Sequence, residues 1–413
     1  MQTRQIDTRC CIVGGGPAGM MLGLLLARAR VPTIVLEKHP DFLRDFRGDT
    51  VHPSTLEILA ELGLKDRFDA LPQHRVEQIE GMFADGIHAL GDFRRLRPIP
   101  YLALVPQWDF LDMLAAEAQR YKNFQLLMQH EATEFVDGLD GHAPGLMVRA
   151  PGSLVRVKAD LVVACDGRNS ILREAAGLQS TNLGAPMDVL WFRLPRHSTD
   201  PSGTYGVPGH GNFFVLLNRN DYWQVACVIA KGTAEQWRQR PLDDFRAKLT
   251  RRIPFLKDRV GHIRSWDDIK LLEVRVDRLE QWYRPGLIFI GDAAHAMSPI
   301  GGVGINLAIQ DAVAAGNILA PVLQAAGTPD LSVLAAIQQR RFLPTRLIQG
   351  FQVLVQERLI APALASQGKD DPIPLPAIAR CLLKSGFIRS LPARVLGQGF
   401  RREHVGALDF LAD

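Results

Sequence analysis

The stretch CCIVGGGPAGMMLGLLLARARVPTIVLEKH, residues 10–39, decides how the rest of the chain is read. Cys10 to Val13 is a short apolar run that ends in glycine, as a buried strand does. Gly14-Gly15-Gly16-Pro17-Ala18-Gly19 follows and fits G-x-G-x-x-G. An apolar helix is expected from Met20 to Arg28, then a second strand from Thr33 to Leu36, closed by Glu37. Each part has a mechanical reason. Gly14 permits the tight turn, Gly16 lets a pyrophosphate approach the backbone, and Gly19 lets the helix pack close to the sheet. The helix N-terminus offers free N–H groups and partial positive charge to phosphates. Glu37, about 18 residues after Gly19, stands where a carboxylate can accept hydrogen bonds from a ribose diol. An isolated glycine turn would carry little weight; strand, turn, helix, strand and acid in order predict a dinucleotide site.

Two later segments extend the pattern. Leu287 to Ile290 reads as a buried strand running into Gly291-Asp292-Ala293-Ala294-His295. Ser298-Pro299-Ile300-Gly301-Gly302-Val303-Gly304-Ile305-Asn306 then leads into a helix, Leu307 to Ala320. An Asp just past a strand can bind a sugar-like hydroxyl. A glycine turn entering a helix can set N–H groups against a flat, electron-rich ring edge, where the dipole stabilises negative charge. Between these segments, Leu161 to Ala164 is a strand followed by Cys165-Asp166-Gly167-Arg168-Asn169-Ser170, with Asn169 or Ser170 as helix cap before Arg173. Taken alone, each is also compatible with a purely structural turn.

Composition narrows the class. With 413 residues and 47% apolar content, the chain can bury a large core in two or three domains. A net charge of +4 argues against a dedicated nucleic-acid binder. Five cysteines, Cys10, Cys11, Cys165, Cys227 and Cys381, form no CxxC pair. They suggest neither a disulfide framework nor a metal site, and a cytoplasmic setting is expected. The polar start and the shortness of the Met20–Ala27 apolar run predict no targeting or transmembrane segment. No G-x-S-x-G, H-E-x-x-H or P-loop occurs.

Together, Gly14–Gly19, Asp166-Gly167 and Gly291-Asp292 resemble the flavoprotein aromatic hydroxylases, the class A FAD monooxygenases of the p-hydroxybenzoate hydroxylase type. The resemblance spans about residues 8 to 320 and is most specific in GDAAHAMSPIGGVGINLAIQDA. It implies non-covalent FAD, NADH or NADPH as reductant, and transfer of one oxygen atom of O2 through a flavin C4a-hydroperoxide to a small hydrophobic substrate. Gly14, Gly16, Pro17, Ala18 and Gly19 would hold the pyrophosphate and Glu37 the adenosine ribose, with Lys38 and Ala132 also among the cofactor-binding positions. Arg47 and Gln107 match the family arginine and glutamine that contact FAD. Asp292 would bind ribityl hydroxyls, Pro299 would lie by the flavin face, and the backbone of Gly301 to Asn306, including Gly302, Gly304 and Ile305, would meet the pyrimidine edge. Asp166 and Arg173 would support the site and NAD(P)H docking. The chain departs from many relatives at Ser298-Pro299-Ile300, lacks the Ser-Arg-Tyr substrate set of p-hydroxybenzoate hydroxylase, and lacks the halogenase W-x-W-x-I-P signature.

The expected fold is α/β: a Rossmann-like FAD-binding domain (residues 1–75, 105–180 and 275–330), an inserted mixed-sheet substrate domain (76–104 and 181–274), and a C-terminal helical region (331–413). Val189 to Ile229 alternates apolar and polar residues between glycine turns at 203, 206, 209 and 211, as antiparallel strands do. In the family such a sheet roofs the substrate cavity. Trp191, Phe213 and Tyr222, with Pro299, are the pocket candidates, and Phe192, Phe214 and Trp223 are further aromatics that could line it. Tyr205, Tyr222 and His210 are possible bases, and no catalytic residue is assigned. The arginines between 380 and 402 interleave with apolar residues, which suits solvated helix faces or a membrane or partner surface. The thioredoxin-like domain of the longer phenol hydroxylases is not expected, and a monomer or homodimer is. Other readings remain open: a flavin reductase or dehydrogenase of an isoprenoid or quinone-like substrate, a non-catalytic FAD-binding protein, and, more remotely, a nicotinamide dehydrogenase.

Overall fold

The first strand runs from Arg4 to Val13, and its last four residues are buried because neighbours flank both edges. It pairs in parallel with Thr33–Glu37 on one side and with Ser153–Ala164 on the other. The computed structural model describes residues 4–43, 49–136, 144–366, 368 and 371–406. Within them a central sheet runs in the order Tyr283–Arg284, Leu287–Phe289, Ser153–Ala164, Arg4–Val13, Thr33–Glu37, Phe124–Met128. Its last five strands are mutually parallel, and Tyr283–Arg284 closes the edge antiparallel. Gly145–Ala150 and Glu131–Val136 extend it as an antiparallel meander. This is a Rossmann-like sheet, with ligands expected at the carboxyl ends of its parallel strands.

Helix Pro17–Arg28 is buried along nearly its whole length. It packs with helices Gln107–Ala118 and Gly304–Gln324 over one face of the sheet, joining Met20, Leu24, Phe110, Leu114, Ile309 and Val313 in one core. The helical stretch Ile300–Gln324 is long and apolar enough to cross a membrane, but 83% of its apolar window is buried inside the protein, as in a core helix.

A second, seven-stranded sheet runs Lys270–Leu272, Met187–Pro195, Tyr222–Ala230, Phe213–Asn218, Tyr205–Val207, Gln78–Phe83, Gly86–Asp92. It is mixed: all neighbours are antiparallel except Tyr205–Val207 with Gln78–Phe83. Gly206, expected in a turn, lies inside a strand. Strand alternation separates the faces. Leu190, Phe192, Phe214, Leu216, Trp223 and Cys227 pack against Trp237, Phe245 and Leu249 of helices Ala234–Arg238 and Leu242–Arg252. Met187, Val189, Ala226 and Val228, with Trp191 and Phe213, face the other way, toward Ile300.

Helix Leu331–Val355, capped by Asp330 through the amides of Ser332 and Val333, packs against helix Gly304–Gln324 and the edge strand Tyr283–Arg284. Ala377–Leu382 and Gly386–Gly397 follow. The last of these shares a core with the second sheet through Ala393 and Phe93. The whole is a Rossmann-like FAD-binding fold with a mixed-sheet substrate domain and C-terminal helices.

Candidate functional site

The three motifs meet at the carboxyl end of the parallel strands. Gly14 has φ +106°, and a Cβ there would overlap the carbonyl oxygen of Cys165, so only glycine lets the first turn lie against the Cys165-Asp166 segment. A Cβ on Gly19 would overlap the carbonyl oxygen of Gly14, which ties the helix start to the turn. A Cβ on Gly291 would lie 3.1 Å from that of Ala18, so the late Gly-Asp turn rests on the first helix. Gly16, by contrast, caps the helix N-terminus with Pro17 at its first position, and nothing lies within 4 Å of where its Cβ would be. The structure therefore leaves an open approach to free helix-start amides, the arrangement a pyrophosphate needs.

Glu37 ends the second strand beside this turn. One carboxylate oxygen accepts from the Gly15 amide at 3.0 Å and the other from the His39 amide at 3.0 Å. Lys38, next to it, is exposed. Ala132 is buried near the same edge, two residues after His130, whose amide donates to the Glu37 carbonyl at 2.9 Å. Gln107 opens its helix, half-buried. Arg47 lies outside the described residues.

Asp166 accepts a long hydrogen bond from the Leu172 amide, and its Oδ1 is buried with no partner among the described residues. Burial, the dominant influence, pushes its carboxyl up against those hydrogen bonds. Ser170 is the helix cap, accepting from the Arg173 amide at 3.1 Å. Arg173 is not a surface group that could dock a nucleotide. Its guanidinium is buried and donates to the carbonyls of Asp292 and Ala293 and to Asp277. It thus fixes the backbone of the late motif. The Asp292 carboxylate itself stays partly exposed, 3.5 Å from Arg168.

Pro299 precedes a tight turn in which Gly301 and Gly302 have φ +75° and +62°. A Cβ on Gly302 would lie 2.7 Å from Oγ1 of Thr50. Gly304 and Ile305 open the long helix. The Asn306 side chain turns inward, accepting from the His52 amide at 2.9 Å and from Thr55 Oγ1 at 2.7 Å. It clamps the loop to residues 50–55, while His52 Nε2 meets the Gly301 carbonyl at 2.8 Å.

Above the loop, Trp191 and Phe213 share a sheet face with Ile300. Tyr222 lies further along the same face, stacked with Arg193 at 5.1 Å. Phe192, Phe214 and Trp223 are core aromatics on the opposite face, because alternation turns them toward the helices. Tyr205 faces the same way, away from Ile300, and its hydroxyl accepts from the Gly203 amide. His210 meets Ser366 at 3.0 Å.

Three further groups hold the site. Gln349, Gln352 and Gln356 line one face of the C-terminal helical stretch. Gln352 receives the Ser298 amide and donates to the carbonyls of Ser298 and Ile300, and Gln356 donates to Ser298 Oγ. Gln349 donates to the carbonyls of Asp277 and Ala296. Behind the Gly-Asp turn lies a buried network of His295, Asp311, Arg341 and Glu403. Arg219 and Asp49 pair between roof and loop. The glutamines' three- and four-residue spacing was a visible signal; the other two groups join distant residues and carried none.

Residues 7–349 match the FAD binding domain family. The 6-methylpretetramide 4-monooxygenase of Streptomyces rimosus is 30% identical over 396 residues, covering 94% of this chain and 92% of that protein. The rifampicin monooxygenase of Streptomyces venezuelae is 30% identical over 313 residues, 73% of this chain and 61% of that protein. The crystal structure of p-nitrophenol 4-monooxygenase PnpA from Pseudomonas putida shares the fold, with TM-score 0.73 over 96% of this chain and 97% of that one at 18% identity. The chain belongs to the FAD-binding monooxygenase superfamily, with a fold like that of p-hydroxybenzoate hydroxylase.

Proposed function

We propose that the protein is an FAD monooxygenase that uses NADH or NADPH and transfers one oxygen atom of O2 to an aromatic or other hydrophobic small molecule. One observation carries this reading: an apolar sheet face bearing Trp191 and Phe213 packs with Ile300, the first residue of the Ile300–Gly302 turn. A flat apolar molecule would fit between that roof and a flavin ring held by the turn.

FAD, when bound, supplies the hydride acceptor and the activation of oxygen. The chain's own residues do the rest. Gly14, Gly16 and Gly19 admit the pyrophosphate to the start of helix Pro17–Arg28. Glu37 receives the ribose, and Asp292 offers its exposed carboxylate to hydroxyls. The N-terminus of the 21-residue helix Gly304–Gln324 stabilises negative charge at the ring edge. The aromatic roof excludes water from the reacting face.

The test is anaerobic mixing of the flavin-loaded protein with NADH or NADPH, with and without candidate phenols, followed by turnover under oxygen-18. Ligand-accelerated flavin bleaching and one labelled oxygen in the product are expected. Bleaching with unlabelled product would make the protein a reductase or dehydrogenase. Retained flavin without any bleaching would leave an FAD-binding protein with no such activity.

A further inference from the structure

Helices Ala377–Leu382 and Gly386–Gly397 lie along the hairpin Gln78–Asp92, which forms one edge of the second sheet. The first helix is tethered to the hairpin turn. The Ala84 amide donates to the Ile373 carbonyl at 3.0 Å, the Leu375 amide donates to Oδ1 of Asp85 at 3.1 Å, and Arg380 pairs with the same carboxylate at 3.4 Å. The second helix packs against strand Gly86–Asp92 and, through Ala393, on Phe93. Residues 93–98 run beside it: the Gln398 side chain donates to the Arg97 carbonyl at 3.2 Å, and a Cβ on Gly386 would meet the Arg95 guanidinium. One face of the molecule thus gathers the hairpin, this loop and both helices.

That face is apolar where water should favour polar groups. Helix Ala377–Leu382 buries none of its residues. Its Ile378 and Leu382, one turn apart, are 78% and 51% exposed; Phe387 and Leu391, one turn apart on the next helix, are 58% and 42% exposed. Ile87, two residues from Asp85 in the hairpin, is exposed as well. Single exposed apolar residues are ordinary, but five on adjoining elements mark an interaction surface. The charge around them is one-sided. From Pro372 to Arg402 the chain carries Arg380, Lys384, Arg389, Arg394, Arg401 and Arg402 and no Asp or Glu. Arg95, Lys384 and Arg394 are exposed and form no salt bridge among the described residues. The carboxylates nearby are already met: Asp85 by Arg380, Asp92 and Glu77 by Arg94, and Asp92 by Arg389 as well.

We propose that this face docks on an anionic phospholipid bilayer. Ile87, Ile378, Leu382, Phe387 and Leu391 enter the boundary between headgroups and acyl chains, and Arg95, Lys384 and Arg394 meet the lipid phosphates. The protein then lies on the membrane without spanning it. The long basic side chains can lay their stems along the apolar patch and keep their charged heads at phosphate level. Charge complementarity selects this partner. A two-fold contact with a second copy would set the cationic face against itself. A nucleic acid supplies phosphates but no apolar phase for the exposed aliphatic side chains. The inference does not depend on the monooxygenase reading, because it concerns where the protein works and not which bond it makes.

The experiment floats the flavin-loaded protein with vesicles of phosphatidylcholine alone and of phosphatidylcholine mixed with phosphatidylglycerol. The wild type should bind the mixed vesicles at least about tenfold more tightly than the neutral ones and should be released as salt is raised. F387S/L391S should bind the mixed vesicles about tenfold more weakly. R95Q/K384Q/R394Q should bind the two kinds of vesicle alike. Both variants should keep wild-type flavin content and melting. No binding by the wild type, equal binding to both vesicles, or an F387S/L391S protein that binds as the wild type does overturns the proposal. So does a wild-type dimer in gel filtration that F387S/L391S converts to a monomer, which would give the face to a second copy. Tighter binding to duplex DNA than to the mixed vesicles also overturns it. If F387S/L391S does not fold, I378S/L382S, on the helix with no buried residue, takes its place: the same loss is expected, and unchanged binding overturns the proposal.

Discussion

His295 Nε2 lies 2.6 Å from Oδ2 of Asp311, with both side chains buried, and the same oxygen accepts the Gly291 amide at 3.1 Å. Arg341 closes on the other carboxylate oxygen at 2.9 Å and reaches Glu403 at 3.2 Å. The turn that presents Asp292 thus hangs from a carboxylate anchored on helix Gly304–Gln324.

Removing one member should leave buried charge uncompensated. D311N should lose about 3 kcal/mol or more in urea unfolding. Burial alone would raise the Asp311 carboxyl, but His295 and Arg341 hold it below its usual 3.8. Its contribution is complete above that value and lost as pH falls below it, so D311N should flatten the acid limb of the stability curve. An unchanged acid limb would refute the anchor.

His52 gives a separate, milder acid dependence. Burial lowers its pKa from 6.5 to about 4, against the raising effect of its hydrogen bonds to Gly301 and Gly302. The unfolded chain binds a proton in that interval and the folded one does not. Stability is therefore full above 6.5 and falls toward pH 4, by at most about 3 kcal/mol. H52Q should remove this slope between pH 6.5 and 4; NMR titration of the His52 ring above pH 6 would contradict it.

The glycines of the first turn should separate folding from cofactor binding. G19A overlaps protein backbone and should destabilise the fold or abolish it. G16A meets no protein atom and should fold with near-native melting while losing FAD affinity. Equal FAD affinity in G16A and wild type would place the pyrophosphate elsewhere.

Gln352 holds both sides of the Ser298–Ile300 turn with three hydrogen bonds. Q352A should cost about 1–3 kcal/mol and weaken FAD binding by roughly tenfold. A variant that lost stability with unchanged FAD affinity would make this contact irrelevant to the site.

Much of this was legible from local order. A strand, a tight glycine turn and a helix start are decided by neighbours in sequence, so residues 10–37 and 287–320 could be read directly, to within a few residues at their ends. Which aromatics of the second sheet face Ile300 was not legible, because successive residues alternate faces and only register shows which face is covered. Trp191 and Phe192 differ in role for that reason alone. Arg173, which the resemblance implied in supporting the site and NAD(P)H docking, is a buried tie to Asp277 and the late motif, and its burial could not be read from sequence.

By itself the sequence determined the Rossmann-like architecture and a dinucleotide site, since both rest on short-range patterns of glycine, apolar run and acid, while FAD as the dinucleotide came from the resemblance to a family. Only the tertiary structure decided what holds and what lines the site. Asp49 and Arg219, Asp311 and Arg341, and Ser298 and Gln352 are separated by long stretches of chain. Ion pairs and hydrogen bonds between such residues leave no periodic trace, and burial, which makes them matter, exists only once the layers have packed.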